Sequence, residues 1–175
     1  MPWYRKYGKI QHPISDAEFK RGMKKGLFHK PKHRGFVALL YYTGIRKTEA
    51  LRVKKEQFSV EGDEIIFEVG KRLKHGINTP PLNIPLSAPF AKEILYAIEQ
   101  TKLGQRVFPY CSKTAYNIVD RVFKYPHLFR LSRITRFFLE GWTIAQVRSW
   151  TGLSLNALNY YLGLVDIKRM GESLR

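Results

Sequence analysis

Four kinds of side chain in this sequence could act together on a phosphate ester. Arg46 follows a Thr-Gly pair and precedes Glu49, Lys71 and Lys74 come next, His127 and Arg130 stand three residues apart, and the pair Tyr160–Tyr161 closes the set. Two guanidiniums can grip non-bridging phosphate oxygens through forked, permanently charged hydrogen bonds, a geometry lysine cannot copy. A phenol can attack phosphorus and hold the product covalently. A lysine can protonate a departing oxygen, and a histidine can orient the ester or pass a proton near neutral pH. Each residue also has an ordinary reading: a solvated arginine, a structural histidine, two packing tyrosines. What makes the set specific is its order along one chain.

The elements that must hold these residues are written in the local pattern. Ser15-Asp16-Ala17-Glu18 is a capping box opening a short basic helix to about Lys25. Pro31 to His33 are expected to break the chain before an apolar helix through Phe36, Val37, Leu39, Leu40 and Tyr41, which Thr43-Gly44 ends. Arg46 to Leu51 begin another helical segment. From Gln57 to Leu86 the period becomes two, with turns at Glu61-Gly62-Asp63 and His75-Gly76-Ile77-Asn78. This predicts a three-stranded antiparallel meander in which Pro80 and Pro81 mark an edge strand. Lys71 and Lys74 fall near its second turn.

Helical periodicity then returns. Ile94, Leu95 and Ile98 share one face of a helix over 89–100, Gly104 to Pro109 form a loop, and Ser112 is the expected cap of a helix through Ala115, Tyr116, Val119, Val122 and Phe123. Leu131 to Leu139 read as a helix with Arg133 and Arg136 on one face, stopped by Gly141. Thr143 and Gln146 form a second capping box for a helix carrying Val147 and Trp150 to Gly152. A last helix from about Ser154 carries Leu155, Leu158 and the tyrosines. The pattern predicts one α+β, mainly α-helical domain over 1–175: a basic arm at 1–14, a core at 15–161, and a tail at 162–175 able to dock on a neighbouring copy.

Composition narrows the partners. The 175 residues include 31 Lys and Arg against 14 Asp and Glu, a net charge of +17 spread along the chain, which suits a polyanion. Cys111 is the only cysteine, so neither an internal disulfide nor a cysteine-based zinc site is open to this chain. The acidic residues contain no D-x-D pair to hold magnesium. The N-terminus has no signal-peptide pattern and no run is long enough to span a membrane, which predicts a cytoplasmic protein without a membrane partner.

The arrangement resembles the tyrosine recombinases, the phage-integrase family, and within it archaeal or viral integrases. Thr43 to Leu51 resemble the family's T-G-x-R-x-x-E-x-L box, His127 to Arg130 its H-x-x-R, and Glu140-Gly141, Thr151-Gly152-Leu153-Ser154 and the tyrosine pair follow in family order. The resemblance implies a tyrosine-recombinase catalytic fold with a small three-stranded antiparallel sheet. It implies that Arg46, His127 and Arg130 act on the phosphate, that Glu49 supports Arg46, and that a strand-tip lysine, Lys74 ahead of Lys71, protonates the leaving group. Tyr161 is the implied nucleophile, because Tyr161-Leu162-Gly163 resembles the family's ending better than Tyr160 does. Lys47, Arg133 and Arg136 would contact DNA.

The implied activity is site-specific recombination or integration of double-stranded DNA through a 3′-phosphotyrosine intermediate. It would need no metal or cofactor, would proceed in a self-associated dimer or tetramer, and would belong to a prokaryotic or virus-encoded mobile element. Three departures stand out. Leu153 replaces the family's usual histidine or tryptophan and cannot donate to phosphate, so a neighbour such as Trp150 must compensate or activity falls. The spacing to Tyr161 is one residue short, and the N-terminal core-binding domain that the resemblance implies to complete the family's clamp is not found in these residues, as expected either of a catalytic fragment of a longer integrase or of a minimal protein relying on its basic arm and self-association. Two alternatives are therefore a degenerate DNA-binding accessory protein and a type IB topoisomerase-like relaxing enzyme.

Overall fold

In the computed structural model the described residues are 13–24, 30–69, 81–123 and 126–163. Helix α1 (Asp16–Lys24) begins with the expected reciprocal cap: the Glu18 N–H donates to Ser15 Oγ at 3.2 Å and the Ser15 N–H to Glu18 Oε2 at 2.8 Å. Pro31 does not interrupt the chain. It starts helix α2 (Pro31–Thr43), where its fixed φ suits the first turn and its missing N–H would have had no partner.

Helix α2 is the centre of the molecule, with Phe36, Val37, Ala38, Leu39, Leu40 and Tyr41 all buried. Each of the larger side chains contributes roughly 2 kcal/mol by leaving water. Helix α4 (Ala91–Glu99) approaches α2 at Gly35, where a Cβ would lie 2.5 Å from the Glu93 carbonyl oxygen, so no larger residue fits. Ile94 and Ile98 of α4 are buried and Leu95 is partly so.

Strands β1 (Phe58–Glu61), β2 (Glu64–Phe67) and β3 (Leu82–Pro85) form the antiparallel sheet in the order β1-β2-β3. Pairing Phe58 with Phe67, and Phe67 with Leu82, puts Phe58, Ile65, Phe67, Leu82 and Ile84 on one buried face. The β1–β2 turn uses Gly62 at φ 56. The second expected turn, with Lys71 and Lys74, lies outside the described residues, as do positions 1–12 of the arm and the tail beyond 163.

Two short helical turns, α3 (Lys47–Ala50) and a 3-10 turn at Lys55–Gln57, separate α2 from the sheet. Helix α5 (Ser112–Phe123) is capped one residue earlier than expected: Cys111 supplies the first carbonyl, to the Ala115 N–H, and its sulfur accepts from the Thr114 N–H. Ser112 is thereby released to meet Lys47. Helix α6 (His127–Leu139) starts at His127, several residues before its apolar period becomes regular, and ends at Glu140 before Gly141 at φ 88. Helix α7 (Ile144–Thr151) opens with the Thr143–Gln146 box and ends at Gly152. The described part of a last helix, α8, covers 155–163 behind Ser154, whose Oγ accepts from the Ala157 N–H at 3.3 Å.

Candidate active site

Helices α2 and α7 end in the same two residues, Thr43-Gly44 and Thr151-Gly152, with both glycines in the left-handed region at φ 64. In each case the glycine N–H bonds the carbonyl four residues back, and the threonine hydroxyl donates to the carbonyl four residues before it. Arg130 lies between these two helix ends, 2% exposed. Its Nη1 donates to the Gly44 carbonyl at 2.9 Å and its Nη2 to the Thr151 carbonyl at 2.7 Å. A buried guanidinium loses hydration, and two helix C-termini with partial negative charge offset part of that cost.

Arg46 stands two residues beyond Gly44, with its side chain 45% exposed. Glu49 holds it twice: Oε2 accepts from the Arg46 backbone N–H at 2.7 Å and Oε1 from its Nη1 at 2.9 Å. The carboxylate fixes the direction in which the guanidinium leaves the backbone.

Both arginines act on the same two neighbours. Burial, then the charge of Arg130, then that of Arg46 pull the His127 imidazole down from 6.5 to about 4. His127 is consequently neutral at physiological pH in the DNA-free protein, which revises the expectation of a proton shared near neutrality. Tyr161, 4% exposed, has its phenol pKa raised by burial, with Arg130 opposing, Tyr160 adding to the rise and Arg46 opposing again. Arg46, His127, Arg130 and Tyr161 thus share one electrostatic neighbourhood, assembled from the start of α3, from α6 and from α8. Tyr160 is partly buried, its ring 5.6 Å from that of Tyr161.

Other cations expected at the site are committed elsewhere. Lys47 Nζ donates to Ser112 Oγ at 2.7 Å and joins α3 to α5. Arg133 pairs with Glu140 at 3.1 Å and lies over the Phe137 ring. Arg136 pairs with Asp16 at 2.8 Å and donates to the Tyr41 hydroxyl at 2.6 Å, while that hydroxyl in turn donates to Asp16. Arg133 and Arg136, expected on one face and as contacts to DNA, lie along a largely buried helix in this structure and clasp α6 to its own end and to α1.

Trp150 does not stand in for Leu153 as a donor. Its indole is 1% exposed and its Nε1–H donates to the Thr43 carbonyl at 2.7 Å. Leu153 packs partly against the core, and its backbone N–H donates to Thr151 Oγ1 at 3.2 Å. The carbonyls of Gly44 and Thr151, which seat Arg130, were not singled out from the sequence. The repeated Thr-Gly pair is the signal that could have found them.

This fold is that of the tyrosine-recombinase catalytic domain. The chain aligns with XerH site-specific recombinase in a post-cleavage complex with its palindromic difH substrate at TM-score 0.67 and 18% identity, covering 95% of this chain and 53% of that one. XerA recombinase gives 0.64 at 16%, over 93% and 65% of the two chains. The Tn1549 transposon integrase, in complex with circular intermediate DNA, gives 0.56 at 15%, over 87% and 61%. The chain therefore spans about half the length of XerH. No family model and no curated protein sequence matches it.

Proposed function

We propose that this chain is a single catalytic domain that cuts and rejoins double-stranded DNA at defined sites. Tyr161 Oη attacks a backbone phosphorus, the bond to the 5′ oxygen breaks, and a 3′-phosphotyrosine and a free 5′ hydroxyl result. The phenolic proton passes to solvent water as the new bond forms, and the departing oxygen takes a proton from Lys74 or Lys71, which solvent then reprotonates. Arg46 and Arg130 neutralise the charge that develops on the non-bridging oxygens. His127, neutral before DNA binds, orients the phosphate, whose negative charge then raises the imidazole pKa. The linkage retains the energy of the broken ester, so rejoining needs neither metal nor nucleotide.

One observation carries this reading. Arginines from two separate sequence boxes act together on a buried phenol and a partly buried imidazole. The DNA-bound state of XerH and the net charge of +17 support duplex DNA as the substrate. Lys47, Arg133 and Arg136 would add contacts to the duplex only by leaving their present partners. Each copy offers one such phenol, so strand exchange calls for two or four copies assembled on DNA, as in a mobile element acting inside a prokaryotic or virus-infected cell.

The test is a pool of nicked duplexes drawn from the DNA flanking the gene, with adducts scored after denaturation. Wild type and Tyr160→Phe form the adduct and Tyr161→Phe does not; the opposite pair of results moves the nucleophile to Tyr160. A second reading, a DNA-binding protein without cleavage, is favoured by Leu153 and by the engagement of Trp150 with Thr43. Salt-dependent DNA binding with no adduct from any duplex would establish it.

A further inference from the structure

We infer that Trp150 is a positioning residue for Arg130, acting through the backbone of Thr43 and Gly44. This rests on the function proposed above. Arg130 reaches both helix ends at once, and its two bonds, at 2.9 and 2.7 Å, fix how far apart the Gly44 and Thr151 carbonyls must be. Arg130 alone cannot enforce that spacing, since a single guanidinium can follow either carbonyl as it moves. A second link between the same ends is present. The residue before Thr151, Trp150, donates its indole N–H to the residue before Gly44, Thr43. The bond is 2.7 Å long and fully buried, and breaking it would leave both a donor and an acceptor without water.

The indole is itself fixed from two sides. Phe67 of the sheet meets it edge-on at 6.2 Å and Phe137 of α6 at 6.5 Å, so the donor cannot swing away without disturbing both neighbours. Thr43 and Thr151 add local stiffness through their hydroxyl bonds to Leu39 and Val147. Trp150 therefore staples the two helix ends at the separation Arg130 needs, and touches neither the phosphate nor the phenol. This role explains why a large aromatic donor lies next to the Thr-Gly-Leu segment although it cannot replace the donor missing at Leu153.

The deciding experiment replaces the single N–H and little else. The full chain is made with β-(3-benzothienyl)alanine at position 150, where sulfur takes the place of the indole nitrogen; 5-fluorotryptophan, which keeps the donor, is the rescue control. Single-turnover adduct formation, DNA affinity and the Arg130 guanidinium nitrogen-15 NMR signals are measured together. In wild type the two Nη groups should give separate, slowly exchanging signals, because each is bonded to a different carbonyl. The sulfur variant should merge them and slow adduct formation by about ten-fold or more at unchanged DNA affinity, as displacement of a clamp group does. The fluorinated protein should match wild type.

Separate Arg130 signals in the sulfur variant, or a rate that falls only in proportion to DNA affinity, would overturn the assignment. Should the sulfur variant melt below the assay temperature, Trp150→Phe is compared in the cold with Trp142→Phe, which also replaces an indole packed on Phe137 by a phenyl ring but lies outside the staple. A loss confined to Trp150→Phe supports the role, and equal losses reject it. If wild type itself forms no adduct, the proposed cleavage activity has failed. The Arg130 signals then decide the staple alone.

Discussion

Arg46 and Arg130 offer the same guanidinium to the same neighbourhood, yet they are mounted in opposite ways. Arg130 is buried, seated on two backbone carbonyls, and belongs to the core as much as to the site. Arg46 is about half exposed and is steered by one carboxylate three residues away. The comparison teaches that the proposed clamp is divided between a rigid jaw, whose place depends on how three helices pack, and an adjustable jaw set by one local turn. Damage to the first should reach folding and chemistry together. Damage to the second should reach chemistry alone.

The largest effect that would break this contrast is on stability. Arg130→Ala removes a filled volume and strands two buried carbonyls, so it should cost about 3 kcal/mol or more in denaturant unfolding, as well as abolishing adduct formation. A loss below about 1 kcal/mol would show that the buried jaw is not part of the core. Gly44→Ala comes next. The substitution forces a side chain into the left-handed region and brings its Cβ within 2.8 Å of Arg133 Cβ, for a cost of about 2 kcal/mol measured in the same way.

The third prediction concerns pH. The unfolded imidazole titrates near 6.5 and that of folded His127 near 4, so between these values the unfolded chain binds more protons. Stability contributed by neutral His127 is present above pH 6.5 and is lost as pH falls towards 4. After allowance for solvent screening it is on the order of 1 kcal/mol. His127→Asn should flatten that part of the stability–pH curve; an unchanged curve would place the titration elsewhere. Smallest of all, Arg46→Ala should lower stability by about 0.5 kcal/mol or less, as surface ion pairs do, while greatly slowing adduct formation. A large drop in its melting temperature would erase the distinction between the jaws.

Much of the fold was legible because the rules that set it are local. The Ser15–Glu18 and Thr143–Gln146 boxes, the glycines at 44, 141 and 152, and the alternation that pairs Phe58 with Phe67 each act within a few residues or across one turn. Misreadings occurred where one local rule had two outcomes. Proline both breaks a helix and begins one, and Pro31 begins α2. Cys111 and Ser112 can each lie at a helix start, and the neighbouring Lys47 draws Ser112 away.

By itself the sequence determined the order of the candidate site residues, the helix and strand periods and the turns between them, because these depend on near neighbours. Only the tertiary structure decided which cations stay at the site. Long side chains such as Arg133, Arg136 and Lys47 can reach several surfaces, and their choice rests on which helix lies opposite. It likewise decided that one guanidinium bridges two Thr-Gly ends and that the Trp150 N–H faces Thr43. Hydrogen bonds between groups far apart in the chain exist only once packing has brought them within reach and excluded the water that would otherwise compete.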